Sequence, residues 1–174
     1  MSYIEAVEQC IKELIQRFEQ NPNLFTSESD VKCYLYHLLI SKDTLQESFV
    51  TKDKKRTNLI HTEYPTLLRP LVDLVVLDPK NITKYALQRQ RVMCTIEIKF
   101  WSTPHFDEEQ KKLRKSLVDE NQAYKFFIYL LKKPSGWQDF REELAKNKEK
   151  NEHFFLESAT NQAIVTKINP ELSQ

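Results

Sequence analysis

The first forty residues carry apolar side chains mostly three or four positions apart, the spacing of one helix face. In the first segment these are Ile4, Val7, Ile11, Leu14, Ile15 and Phe18, and in the second Val31, Tyr34, Leu35, Leu38 and Leu39. The pattern predicts an amphipathic helix over residues 3 to 20 and a second helix capped by Thr26 or Ser27. Glu28 then lies in the first turn of the second helix, where the dipole favours anions.

Strand-like apolar runs dominate the rest of the chain. The predicted strands run from Leu59 to Tyr64, Leu71 to Leu77, Val92 to Phe100, Phe126 to Leu131, Phe154 to Leu156 and Ala163 to Ile168. Two further helices are predicted between them, one marked by Phe106, Leu113 and Leu117 and one from about Trp137 to Lys148. The order is helix, helix, three strands, helix, strand, helix and hairpin. It predicts one α/β domain over residues 1–174, with a central sheet flanked by helices.

Composition removes several classes of protein. The only glycine is Gly136, so a Gly-rich phosphate loop and a dinucleotide fingerprint are excluded. Lys and Arg number 26 against 25 Asp and Glu, so overall charge implies no particular partner. Cys10, Cys33 and Cys94 stand singly in apolar segments, which predicts small buried residues in a reducing compartment. No leader and no membrane span is predicted, so a cytoplasmic protein is expected.

Charged residues inside two of the apolar strands are the candidate chemistry. Asp73 interrupts the run from Leu71 to Leu77, and Glu97 and Lys99 alternate with apolar residues in the next strand. Ionised groups are costly to bury unless a metal, a partner or a ligand compensates them. If the two strands pair, Asp73 projects beside Glu97, and two converging carboxylates favour a hard divalent cation such as Mg²⁺ or Mn²⁺.

The spacing of Asp73 from Glu97-Ile98-Lys99, with Glu28 on a preceding helix and a helix and apolar strand following, resembles the PD-(D/E)xK nuclease superfamily. The resemblance spans roughly residues 26 to 131 and implies a restriction-endonuclease-like αβββαβ core. Here the extra elements are the N-terminal helix and the C-terminal helix plus hairpin. It also implies that Asp73 and Glu97 coordinate Mg²⁺ (or Mn²⁺) with the Ile98 carbonyl, that Lys99 acts on the attacking water, and that Glu28 supplies a further carboxylate. Val72 stands where the family name has proline.

The function expected from the resemblance is Mg²⁺-dependent hydrolysis of nucleic acid, with a DNA endonuclease favoured. Glu63 is a weaker candidate for a second carboxylate at the site, and Arg69 for a phosphate contact. Both are more readily interpreted as surface or ion-pair residues. Basic clusters at residues 52–56, 80–91 and 111–115 would suit a phosphate backbone if they share one side. The alternative is a non-catalytic module of the same fold that binds nucleic acid or protein. So short a chain is expected to act as a homodimer or as a subunit of a larger assembly.

Overall fold

A computed structural model describes residues 2–65, 71–86, 90–100, 123–130, 154–159 and 163–169. It is a mixed α/β structure with two helices and eight strands in these ranges. The helices are α1 (Tyr3–Gln20) and α2 (Glu28–Ile40), and the strands are β1 (Ser48–Val50), β2 (Arg56–Asn58), β3 (Ile60–Pro65), β4 (Leu71–Leu77), β5 (Val92–Phe100), β6 (Tyr124–Leu130), β7 (Phe154–Ala159) and β8 (Ala163–Ile168). Single 3₁₀ turns follow each helix, at Pro22–Leu24 and Asp43–Leu45. Across these ranges, neither helix combines the length and hydrophobicity needed to cross a membrane.

The two helices predicted in the first forty residues are confirmed, and each begins with a capping box. The Ser2 hydroxyl accepts from the Glu5 amide in α1, and the Ser27 hydroxyl accepts from the Asp30 amide at 3.1 Å in α2. A carboxylate oxygen of Asp30 in turn accepts the Ser27 amide at 3.1 Å. Ser27, rather than Thr26, is therefore the cap of α2. Amides that would otherwise lack a partner are satisfied reciprocally, which fixes where the helix bearing Glu28 begins.

Replacing Ser27 by alanine should lower the free energy of unfolding by about 1 kcal/mol, the usual cost of losing a serine cap. Ser29 is exposed inside the same helix, so Ser29→Ala serves as the matched control and should change stability little. Urea unfolding followed by circular dichroism measures both. Equal losses for the two variants would show that the Ser27 cap contributes nothing specific.

A six-stranded mixed sheet in the order β3-β4-β5-β6-β8-β7 forms the centre. Strands β3, β4 and β5 make an antiparallel meander, and β6 then lies parallel to β5, with Glu97 opposite Phe127. Strands β7 and β8 form the predicted hairpin, which adds to β6 in antiparallel orientation.

The structure differs from the sequence prediction in several places. The predicted polar connection after residue 50 is instead part of a two-stranded hairpin, β1 with β2, with Lys54 at φ 61° in its turn. Strand β3 lies one residue later than predicted, β6 begins two residues earlier, and β7 extends to Ala159. The predicted helices at residues 106–117 and 137–148 lie outside the described residues.

Helix α1 supplies much of the hydrophobic core against one face of the sheet. Phe18 is fully buried, and its ring lies 6.2 Å from Phe25 and 6.1 Å from Phe100, the last residue of β5. Ile96 and Ile98 are buried in the same core, while Glu97 and Lys99 are only partly buried. The predicted alternation along β5 is thus confirmed, with its apolar side chains inward and its two charged ones on the other face.

The sequence predicted that all three cysteines are buried, but the structure buries only two of them. Cys10 and Cys94 are buried, but Cys33 lies on the exposed side of α2. An apolar segment surrounds Cys33, yet helical spacing turns it away from the stripe that contains Leu35 and Leu39. All three are free thiols.

The thiol environments predict one fast-reacting cysteine. Burial raises the pKa of Cys10 to about 11 and raises that of Cys94 as well, so neither forms an appreciable thiolate at neutral pH. Titration of the native protein with a disulfide reagent should therefore modify Cys33 quickly, and the other two only after denaturation. The Cys33→Ser variant should lose the fast phase. A fast phase that persists in this variant would contradict the burial of Cys10 and Cys94.

Candidate active site

The candidate site lies where strands β4 and β5 stop pairing. Their ladder includes Leu74 opposite Ile96, and the next residues on the two strands are Asp73 and Glu97. Here side chains replace the ladder: the Asp73 Oδ2 atom accepts the Ile98 amide at 2.9 Å, and a Glu97 carboxylate oxygen accepts the Asp73 amide at 3.3 Å. The predicted pairing of the two strands is confirmed. It brings both carboxylates to the same opening.

The main chain of β5 also faces this opening. The amide and carbonyl of one strand residue point to the same side, so the Ile98 carbonyl is directed toward β4 as its amide is. Lys99 lies on the same strand, with its ammonium 3.8 Å from the Glu97 Oε1 atom. The four predicted features of β4 and β5 therefore adjoin each other: two carboxylates, one main-chain carbonyl and one ammonium group.

Glu28 joins the site from the first turn of α2. Burial raises the pKa of Glu28, and the neighbouring Asp73 charge raises it further. Lys99, Lys32 and a hydrogen bond from the Phe100 amide favour the ionised form, without reversing the net shift. The Phe100 amide is two residues beyond that of Ile98, so a second strand amide facing the opening is bonded by a carboxylate. These interactions bring Glu28 into the neighbourhood of Asp73 and Lys99.

Lys32, which the sequence analysis did not single out, is the central cation of the site. Its ammonium lies 2.7 Å from the Asp73 Oδ1 atom and also pairs with Glu63. Burial alone lowers the pKa of Lys32, but the hydrogen bonds to Asp73 and Glu63 outweigh it and leave the pKa raised. Helical spacing could have indicated Lys32, because it is four residues after Glu28 and so lies on the same face of the helix.

Glu63 occupies an unusual backbone conformation. Thr62 and Tyr64 on either side of it pair with Leu74 and Val72, but Glu63 itself, opposite Asp73 by count, is absent from the ladder. Its φ is 50°, in the left-handed region that residues with a Cβ atom seldom adopt. Glu63, Asp73 and Glu97 therefore hold successive positions across β3, β4 and β5. The reading of Glu63 as an ion-pair residue is confirmed, with Lys32 as its partner.

Asp73 has a lysine from α2 as its counter-charge. It lies on an inner strand rather than at a sheet edge, and its cation is Lys32. Arg69, the other weaker candidate from the sequence, lies outside the described residues. The side chain of Asp73 is only 11% exposed, and both of its oxygens have partners. Because Asp73 is buried and both of its oxygens are bonded, it is held in one orientation.

The donor set suits a hard cation. Asp73, Glu97 and the Ile98 carbonyl offer only oxygen, the ligand type that Mg²⁺ and Mn²⁺ prefer. Four carboxylates here, including Glu28 and Glu63, face two ammonium groups, an excess of negative charge that favours a further cation. The Lys32 ammonium lies against Asp73 in this excess of negative charge. Within the described ranges, no group of three or more His, Cys, Asp or Glu side chains is arranged to hold a metal ion.

Comparison of the chain with protein-family models, with curated proteins and with solved structures gives no match. The geometry of the site is therefore the basis for assigning a function.

Proposed function

We propose that this chain is a metal-dependent nuclease of the PD-(D/E)xK type, which hydrolyses phosphodiester bonds in nucleic acid, with DNA as the expected substrate. The observation that carries the proposal is the opening between β4 and β5, where the Asp73 carboxylate accepts the Ile98 amide and the Glu97 carboxylate accepts the Asp73 amide. The Lys99 ammonium lies 3.8 Å from Glu97 in the same opening. The meander β3-β4-β5, preceded by α2 and joined to a parallel β6, supports a restriction-endonuclease-like core.

Asp73, Glu97 and the Ile98 carbonyl would hold Mg²⁺ or Mn²⁺. Bound there, the ion would supply positive charge against the phosphate oxygens and favour ionisation of the attacking water. Lys99 is placed to donate a hydrogen bond to the nucleophile or to the developing phosphate charge. Its ammonium is held toward the opening by Glu97, 3.8 Å away. Glu28, bonded to the Phe100 amide, fixes the strand end next to Lys99 and adds a carboxylate to the site.

Incubation of the purified chain with supercoiled plasmid, single-stranded DNA and RNA tests the proposal. Cleavage is expected with Mg²⁺ or Mn²⁺ and none with EDTA. Lys99→Met should remove it, whereas Lys42→Met should not. Lys42 is a matched control because its side chain is 25% exposed against 23% for Lys99, and each lysine has a glutamate partner, at 3.4 Å for Lys42. Cleavage that survives Lys99→Met would belong to a contaminant or to another site.

A second candidate, a non-catalytic nucleic-acid-binding module, has an observation of its own. The Lys52 amide donates to the Tyr85 carbonyl at 3.1 Å, and the Arg91 guanidinium lies 5.5 Å from the centre of the Tyr85 ring. The basic β1–β2 turn therefore adjoins the basic connection between β4 and β5. Exposed basic side chains here are those of Lys52, Lys54, Lys55, Arg56, Lys80, Lys84 and Arg91. The predicted basic helix face at residues 111–115 lies outside the described residues.

This basic surface lies at the opposite ends of β4 and β5 from Asp73 and Glu97, so it serves as a phosphate contact only if the nucleic acid extends past the site. Fluorescence anisotropy with labelled DNA in EDTA measures binding apart from cleavage. The module hypothesis predicts salt-sensitive binding that Lys52→Glu with Lys54→Glu weakens, together with no cleavage under any metal. Cleavage that depends on Lys99 would reject it.

The oligomeric state belongs to the same proposal. A chain of 174 residues presents limited surface for recognising a sequence alone, so a homodimer or a subunit of a larger assembly is expected. Light scattering on the active protein tests this. A monomer with full activity would contradict it.

A further inference from the structure

Lys32 pairs with an oxygen of Asp73, the carboxylate on which the proposed metal site most depends. Its ammonium lies 2.7 Å from the Asp73 Oδ1 atom, and its side chain is 16% exposed. The other Asp73 oxygen is bonded to the Ile98 amide at 2.9 Å. A permanent positive charge thus stands where one side of Asp73 would face a divalent ion. The catalytic roles assigned above to Asp73, Glu97, Lys99 and Glu28 leave this cation unexplained.

The fold holds Lys32 in this place. Val31 and Leu35 flank it on α2 and are fully buried, and α2 packs against β3, β4 and β5. The position of the Lys32 backbone is therefore set by the core. What remains adjustable is the side chain, whose four-carbon stem allows the ammonium to move between acceptors.

Glu63 supplies a second acceptor beside Asp73. The Glu63 backbone, with φ 50°, leaves the β3–β4 ladder at the one position opposite Asp73. A left-handed conformation is unfavourable for a residue with a Cβ atom and persists only where its surroundings enforce it. The Glu63 side chain is 53% exposed and pairs with Lys32. An exposed pair contributes little to stability, so stability alone does not account for the distorted strand.

We propose that Lys32 competes with a divalent cation for Asp73, and that Glu63 retains the ammonium at the site when the cation displaces it. This inference rests on the proposed function, since it concerns the same cation site. Two positive charges on one carboxylate repel each other strongly in a site shielded from water, so metal and ammonium exclude one another from the Asp73 Oδ1 atom. The bare site is then neutralised by its own lysine, and metal affinity is lower than the carboxylates alone would give.

Titration calorimetry with Mn²⁺ on the full chain tests the competition without using activity. Lys32→Met should bind Mn²⁺ at least about tenfold more tightly than the unsubstituted protein, because no ammonium opposes the ion. Lys42→Met is the control, since it removes a paired lysine just beyond the end of α2 without touching Asp73. Equal Mn²⁺ affinity for Lys32→Met and the unsubstituted protein would overturn the competition and leave the metal site standing. Absence of Mn²⁺ binding in both would overturn the competition and the metal-dependent function together.

A second measurement uses the unsubstituted protein, in case Lys32→Met does not fold. Acetylation with an amine-reactive ester, followed by peptide mass spectrometry, reports the accessibility of each lysine. Mn²⁺ should raise the labelling of Lys32 severalfold as its ammonium leaves Asp73. Lys167 is the internal control, because its side chain is 14% exposed and its ammonium pairs with Glu8 at 2.5 Å. Labelling of Lys32 that stays constant relative to Lys167 would overturn the displacement.

The role of Glu63 is separable by a double-mutant cycle. In the unsubstituted protein Glu63→Gln should weaken Mn²⁺ binding several-fold, because the ammonium then has Asp73 as its remaining acceptor. In the Lys32→Met background the same change should have no effect, since there is no ammonium left to hold. Equal weakening in both backgrounds would make Glu63 a ligand of the ion and overturn its assignment as the lysine's acceptor.

Discussion

Asp73→Asn should abolish metal-dependent cleavage, lowering the rate by about a thousandfold or more, while leaving the protein folded. The substitution removes one charge and little else, because an asparagine carbonyl oxygen is able to accept the Ile98 amide as the Asp73 Oδ2 atom does at 2.9 Å. Lys32 keeps Glu63 as its partner. Plasmid cleavage at saturating Mg²⁺ or Mn²⁺ measures the loss.

Stability measurements show whether that loss concerns chemistry. Truncation of Asp73 to alanine would leave the Ile98 amide without its acceptor, with an expected cost of about 3–5 kcal/mol for breaking a half-buried pair. Asp73→Asn should cost only about 1–3 kcal/mol, because the hydrogen bond is kept. Mn²⁺ should raise the melting temperature of the unsubstituted protein and not that of Asp73→Asn, since ligands stabilise only a state that binds them.

Asp43→Asn provides the matched control for Asp73→Asn. Asp43 is exposed, begins the 3₁₀ turn after α2 and takes no part in the site. Its substitution should leave cleavage and the effect of Mn²⁺ unchanged. Full activity in Asp73→Asn would remove Asp73 from the reaction and, with it, the assignment of this opening as a nuclease site.

Much of the architecture follows from local pattern. The helical spacing of apolar residues predicted α1, and the run from Leu71 to Leu77 with one interrupting aspartate predicted β4 with its bounds as observed. These elements are specified by periodicity, which the chain carries explicitly. The hairpin of β1 and β2 was missed because each strand has only three residues in a polar stretch, too few for alternation to be visible.

The site was only partly predictable for a related reason. Asp73 and Glu97 stand out because a charge in an apolar strand is costly, whereas Lys32 sits in a helix, where lysine is an ordinary surface residue. Its importance depends on which strands α2 packs against, and tertiary packing decides that. From the sequence, Glu63 was a weaker candidate for a second carboxylate, favoured as a surface or ion-pair residue. Its position opposite Asp73 depends on the β3–β4 register, and its left-handed backbone has no signature in the sequence.

Core packing and the site meet at the end of β5. Phe100 follows Lys99 directly, its amide is bonded by Glu28, and its ring packs edge-on against Phe18 at 6.1 Å. The strand end that carries Lys99 is thus held from one side by a carboxylate and from the other by α1. Because close-packed interiors transmit displacement, a cavity under Phe100 loosens the position of Lys99 as well as the core.

Phe18→Ala should therefore lower the free energy of unfolding by about 3–5 kcal/mol, the usual cost of deleting a buried aromatic ring. In a domain of this size the melting temperature should fall by roughly 10 °C. Leu24→Ala is the control, because Leu24 is 41% exposed and should change stability by less than about 0.5 kcal/mol. Urea unfolding measures both variants. A loss for Phe18→Ala no larger than that of the control would mean that α1 does not pack on β5 through this ring, and the support for the Lys99 strand end would have to come from Glu28 alone.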